Sequence, residues 1–141
     1  TAILTRLAFA DPLRDLAPVC DRKSLIAAQE SISRVYVHPL ILSYLVQIVR
    51  ATREHPQISL GVSPRGSIAL LRCLKAYAAL KGSSFVTPEM VKYLAPYCLA
   101  HRLILHGSYQ QSGSGTGYIR DILEKVPVPT EDFGTNESPY A

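Results

Sequence analysis

A chain of 141 residues in which 48% are apolar and 18% charged can bury one sizeable core, which excludes an intrinsically disordered chain and two large domains. The formal net charge of +4 is carried without any long basic run, so it admits anionic partners but speaks against nucleic acid as the main one. No basic leader followed by an apolar run opens the sequence, and no apolar stretch reaches the ~20 residues that cross a bilayer, so a soluble, cytoplasmic protein without a membrane partner is expected.

Thr1 to Leu7 reads as the end of a helix already under way, because Ile3, Leu4 and Leu7 fall at helical spacing with no start signal before them. Asp11-Pro12 breaks that helix, and a linker with Leu13, Leu16 and Val19 around Pro18 follows. Asp21 is the expected cap of a helix from Arg22 to about Ser33, with Leu25, Ile26, Gln29 and Ile32 as its stripe. Val35-Tyr36-Val37 is a β-branched and aromatic break, and His38 is biased to an extended conformation by the proline after it. Pro39 opens a helix to about Glu54. Leu42, Leu45, Val46 and Val49 are expected to face inward, and Ile41 and Ile48 widen the apolar surface. Arg50, Arg53 and His55 suit the negative end of its dipole.

The next helix runs from Pro64 to Lys81 and stops at Gly82, the expected C′ residue. At about 100° per residue, Leu70, Leu71, Leu74, Tyr77 and Ala78 share one side, while Arg65 and Arg72 lie nearly opposite. Thr87-Pro88-Glu89 opens a helix to about Arg102, with Pro96 inside it as a kink or a join. Leu103-Ile104-Leu105 is a short apolar exit, and Ser108 to Gly117 reads as a flexible Gly/Ser/Gln-rich loop. Tyr118 to Val126 looks like a short terminal helix before an acidic, frayed tail. The expected fold class is therefore all-α, a bundle of about five helices. Residues 1–20 are the lead-in and linker, 21–126 the helical domain, and 127–141 the tail.

The stretch richest in signals is Gly61-Val62-Ser63-Pro64-Arg65-Gly66. A serine N-cap ahead of an N1 proline starts a helix, whose positive dipole end and spare N–H groups then point out of the turn. Ser63, Pro64, Arg65 and Gly66 together have the anatomy of a phosphate-facing terminus, with Gly66 bare and Arg65 permanently charged. An ordinary capped helix with a solvated arginine has the same sequence. The second glycine falls one residue late for a GxSxG nucleophile elbow, and no strand or base accompanies Ser63. Gly113-Ser114-Gly115-Thr116-Gly117 is no phosphate loop, since Tyr118 stands where GxxxxGK needs lysine. Cys98 and His101 form a lone CxxH without further ligands, so no metal site is expected. Cys20, Cys73 and Cys98, an odd set without a CxxC pair, read as small apolar residues in a reducing compartment. His101-Arg102 reads more readily as a buried histidine beside a helix C-terminal arginine than as a functional pair, and the carboxylates show no acid/base pairing. No self-sufficient catalytic site is visible.

An ordered set of short motifs carries a resemblance. Asp11-Pro12-Leu13, Pro18-Val19, Val35-Tyr36-Val37, Ala51-Thr52-Arg53-Glu54-His55-Pro56, the Gly61–Gly66 stretch, Ala76 with Ala78, Phe85-Val86-Thr87-Pro88-Glu89 and His101-Arg102 follow one another. Together, over roughly Leu4 to Leu105, they closely resemble the C-terminal lid of MoxR-type AAA+ ATPases. The resemblance implies a helical lid beside an αβα nucleotide-binding core whose Walker A, Walker B and arginine finger this sequence does not contain, so it looks like a lid from a larger ATPase. It implies that Arg65 is the sensor 2 arginine reaching the γ-phosphate of ATP, a catalytic role, and that ATP and Mg2+ are held mainly by the core, with none bound tightly by this chain alone. Implied partners are the chain's own AAA+ core, the neighbouring subunits of a ring, and a protein with a von Willebrand factor A-type domain, in chaperone-like maturation of protein complexes. Ser83-Ser84 depart from the family, which often has an arginine after the glycine at position 82. The alternatives are a stand-alone helical module for protein or DNA, and a scaffold bundle in which Arg65 is only solvated.

Overall fold

The computed structural model describes residues 16–107 and 114–130. The helix end expected over Thr1–Leu7, the Asp11-Pro12 break, the loop over 108–113 and the tail beyond Thr130 lie outside the described residues. Among the described residues there are five α-helices: α1 (Arg22–Ser33), α2 (Pro39–Glu54), α3 (Pro64–Leu80), α4 (Pro88–Leu99) and α5 (Gly115–Lys125). Between them lie strands β1 (Ile58–Leu60) and β2 (Ile104–Leu105) and a 3₁₀ turn over Ala100–Arg102. The fold class is all-α, as expected. None of the described helices is long and apolar enough to cross a membrane.

The chain divides into two compact units between Ser31 and Ile32. In the first, Asp21 caps α1 as the sequence indicates, accepting from the Ser24 N–H at 2.8 Å, and the Ser24 side chain, then that N–H, hold its carboxyl below the usual range. No residue of α1 is buried: the stripe of Leu25 and Ile26, expected to face a core, is exposed.

In the second unit, α4 packs against both α3 and α5, and α2 closes the core against α3 and α5. Fully buried side chains include Ile41, Tyr44 and Ile48 from α2, Leu70 and Leu74 from α3, Val91 and Leu99 from α4, and Ile119 from α5. On α2 the buried face is Ile41, Tyr44, Leu45, Ile48, Val49 and Thr52, whereas Leu42 and Val46, expected inside, are exposed. A helix apolar around most of its circumference does not declare its face; packing against α3 and α5 decides it. The α3 face is as the periodicity predicts, with Leu70, Leu74 and Ala78 buried and Arg65 and Arg72 exposed.

Prolines start three of these helices. His38 Nδ1 accepts from the Leu40 N–H at 3.2 Å ahead of Pro39, and Thr87 accepts from the Met90 N–H at 3.5 Å ahead of Pro88. Gly82 ends α3 at φ +71°, and bonds from Gly82 N–H to Ala79 O and Ser83 N–H to Ala78 O complete a Schellman closure. α4 ends at Leu99, three residues short of the expected Arg102, where the chain tightens into the 3₁₀ turn.

Two connections escaped the sequence reading. β1 and β2 pair antiparallel, Ile58 with Leu105 and Leu60 with Ile104, so two residues of the apolar exit, Ile104 and Leu105, form a strand. The flexible loop expected up to Gly117 ends at Ser114, whose hydroxyl accepts from the Gly117 N–H at 3.1 Å and starts α5 at Gly115. Tyr36 and Phe85, from the two short extended links, form a parallel bridge.

Candidate functional site

The Gly61–Gly66 stretch leaves β1 and enters α3 alongside the C-terminal end of α2. Two consecutive α2 side chains hold it there. Thr52, fully buried, donates its hydroxyl to Val49 O at 2.6 Å and accepts from the Val62 N–H at 3.0 Å. Arg53 donates Nε and Nη2 to Val62 O at 3.2 and 3.0 Å. Both backbone polar groups of Val62 are thus satisfied by side chains of α2. Gly61 lies so close that a Cβ there would stand 2.7 Å from Arg53 Cγ and 2.8 Å from Thr52 Oγ1. Only glycine fits that approach.

Ser63 is the N-cap residue of α3, with extended φ −76° and ψ 162°, but its hydroxyl makes no capping bond. The expected hydroxyl cap is therefore absent. Pro64 has no N–H, and the Gly66 and Ser67 N–H groups donate to the Ser63 carbonyl at 2.8 and 3.3 Å. Gly66 also differs from the expectation of a bare approach for a ligand. It is buried, and a Cβ added there would lie 2.5 Å from Val62 Cγ1 and 3.3 Å from Arg102 Cδ. Its missing side chain makes room for Val62 and for the arginine stem, not for a visitor.

Ser63 and Pro64 are exposed, and the charge of the stretch is carried by Arg65. Its side chain is exposed, and among the described residues neither its backbone N–H nor its guanidinium has a hydrogen-bond or ion-pair partner. Donor, formal charge and dipole end coincide at one residue. Arg102 stands beside it: its stem covers Gly66 and its Nε donates to Cys98 O at 3.0 Å. The reading of Arg102 as a helix C-terminal arginine therefore holds, while His101 is exposed rather than buried. What the sequence did not reveal is that this arginine crosses to the start of α3.

The cysteines correct another expectation. Cys20 and Cys73 are exposed and only Cys98 is partly buried. Burial, a hydrogen bond with Cys73 and the proximity of that thiol push Cys98 up to about 11, against a smaller opposing effect of Arg102. That environment favours the thiol over the thiolate. Among the described residues no group of three or more His, Cys, Asp or Glu could hold a metal ion. The donors at this site fit one edge of a phosphate chain and not its divalent cation, which requires oxygen ligands.

Residues 50–126 match the AAA lid domain family. The chain is 40% identical over 121 residues to the uncharacterized protein YeaC of Bacillus subtilis, covering 85% of this chain and 38% of that one. It is 29% identical over 115 residues to the chaperone MoxR1 of Mycobacterium tuberculosis, covering 74% of this chain and 30% of that one. The crystal structure of a candidate ATPase from Cytophaga hutchinsonii superposes with a TM-score of 0.64 at 30% identity, over 72% of this chain and 34% of the other. The chain spans about a third of the length of each of these proteins.

Proposed function

The chain belongs to the AAA lid domain family, in the form carried by MoxR-type AAA+ ATPases, and on that premise we propose that it is the C-terminal lid of a longer ATPase and completes the ATP site with Arg65. The observation that carries this reading is Arg65, exposed at the start of α3 and, among the described residues, without a hydrogen-bond or ion-pair partner. Phosphoryl transfer spreads negative charge over the oxygens of the transferred group, and a preorganised guanidinium stabilises that charge. ATP fits this terminus at its phosphate end only. The remaining phosphate contacts and Mg2+ belong to the αβα core, so this chain by itself hydrolyses nothing and holds nucleotide weakly.

Because the second unit has its own core, it can swing as one body when the γ-phosphate forms or loses its contact with Arg65. A lid that reports nucleotide state in this way serves a ring of ATPase subunits remodelling a protein client. The chaperone name of the mycobacterial relative supports a role in remodelling proteins; a cytoplasmic setting and a von Willebrand factor A-type partner are part of the proposal that the family resemblance suggests. The coding DNA upstream of Thr1 tests the reading. An in-frame GxxxxGK followed by Ser or Thr, and then an acidic Walker B strand, is the expected result. A frame without them would overturn it.

A further inference from the structure

We infer that Arg53, with Thr52, is a positioning residue for nucleotide turnover: the end of α2 grips Val62 and so sets the placement of Arg65, an inference that rests on the proposed role of Arg65. The grip is long-range in sequence, nine residues for Arg53 and ten for Thr52, and both ends of it fall on one peptide residue. An arginine that only answered its own helix dipole would reach carbonyls of its own last turn. Arg53 instead spends two donors of its fork on the carbonyl three residues before Arg65. A lysine has no such fork.

From Val62 the constraint continues into α3. Its side chain is fully buried and fills the place beside Gly66 where a Cβ would stand, and the Arg102 stem closes the other side. The first turn of α3 is thereby fixed on both flanks of Arg65, at Val62 and at Gly66. Gly61, pressed against Thr52 and Arg53, leaves the turn no slack on the β1 side. Rotation of the turn that carries Arg65 requires breaking the Arg53 and Thr52 bonds. Arg53 is itself exposed, so its removal opens no cavity in the core.

The test is a double-mutant cycle on ATP hydrolysis by the full-length ATPase, with Arg53→Ala, Arg65→Ala and both together. Misplacing a reacting group by an ångström can cost up to about a hundredfold, so Arg53→Ala is expected to lower kcat by about 5- to 20-fold with KM for ATP changed less than about twofold. Arg53→Lys is expected to fall short of full rescue, because one ammonium cannot replace a two-pronged contact. In the Arg65→Ala background, Arg53→Ala should then change kcat by less than about twofold, since it acts through a group already gone. The same factor in both backgrounds would overturn the inference and make Arg53 a general structural residue. So would full activity of Arg53→Ala when Arg65→Ala is impaired, and that outcome would leave the Arg65 reading intact. Full activity of Arg65→Ala would overturn both.

Discussion

Thr52 offers the sharpest physical test of how the Gly61–Gly66 turn is held. Its hydroxyl is fully buried and is the acceptor for the Val62 N–H, itself fully buried. Thr52→Val keeps the shape of the side chain and removes that acceptor. An orphaned buried N–H costs about 1–3 kcal/mol. Against this, the hydroxyl no longer has to be desolvated and a methyl takes its place, an offset of about 0.8 kcal/mol at most. The net loss is therefore about 0.2–2 kcal/mol, centred near 1 kcal/mol. With an unfolding slope of about 1.5 kcal/mol/M, the urea midpoint should fall by about 0.7 M. Hydrogen exchange at the Val62 amide gives the local readout, where each 1.4 kcal/mol of about that loss is a tenfold faster opening. Thr52→Ser retains the acceptor, so it should lose some stability while keeping Val62 protected. A Thr52→Val protein with an unmoved midpoint, or with Val62 still protected, would refute the assignment of this bond as the one that secures the turn.

Other consequences follow from the same contacts. Gly66→Ala places a Cβ 2.5 Å from Val62 Cγ1, an overpacking that should cost about 1–3 kcal/mol. Adding Val62→Ala should recover part of that loss; if the double variant is less stable than the sum of the singles, the two residues do not share that space. The Cys98 thiol, raised to about 11, is neutral in the fold at pH values where an unfolded thiol ionises. Its contribution is present below the unfolded pKa near 9 and is lost as pH climbs to about 11, so stability should fall across that window. Cys98→Ser should flatten the fall, and an unchanged slope would contradict the shift. Alkylation at pH 8 should likewise mark Cys20 and Cys73 before Cys98.

Much of the fold was legible because its helices announce themselves. Asp21 as a cap, Pro39 and Pro88 as first residues and Gly82 as the closing residue all stand where local chemistry puts them. These signals depend only on neighbours in sequence. The α2 face was not legible, because Leu42 and Val46 are as apolar as Ile41 and Ile48, and only the helices packed against α2 choose between them. β1 and β2 are three and two residues long, too short for a period of two to show. The start of α5 was hidden by glycines, whose poor helix propensity is overridden by the Ser114 cap and by packing of Ile119, Ile122 and Leu123.

At the site, Arg65 could be picked out because its position relative to a serine-proline start is local. The Thr52 and Arg53 bonds could not, since they join residues brought together by a turn and a strand. One signal was there. Thr52 continues the spacing of Leu45, Ile48 and Val49, which places a hydroxyl on the core side of α2, and a buried hydroxyl must find a partner. Gly66 misled for a complementary reason: a glycine beside an arginine at a helix start suits a ligand or a tight packing contact equally, and only the positions of Val62 and Arg102 decide.

The proposed action of Arg65 on the nucleotide is tested most directly by the steady-state rate of ATP hydrolysis by the full-length protein, wild type against Arg65→Ala. Loss of one donor to the developing charge should lower kcat by about 10²- to 10³-fold. Equal rates for the two proteins would contradict it and leave Arg65 a solvated residue on a helical scaffold.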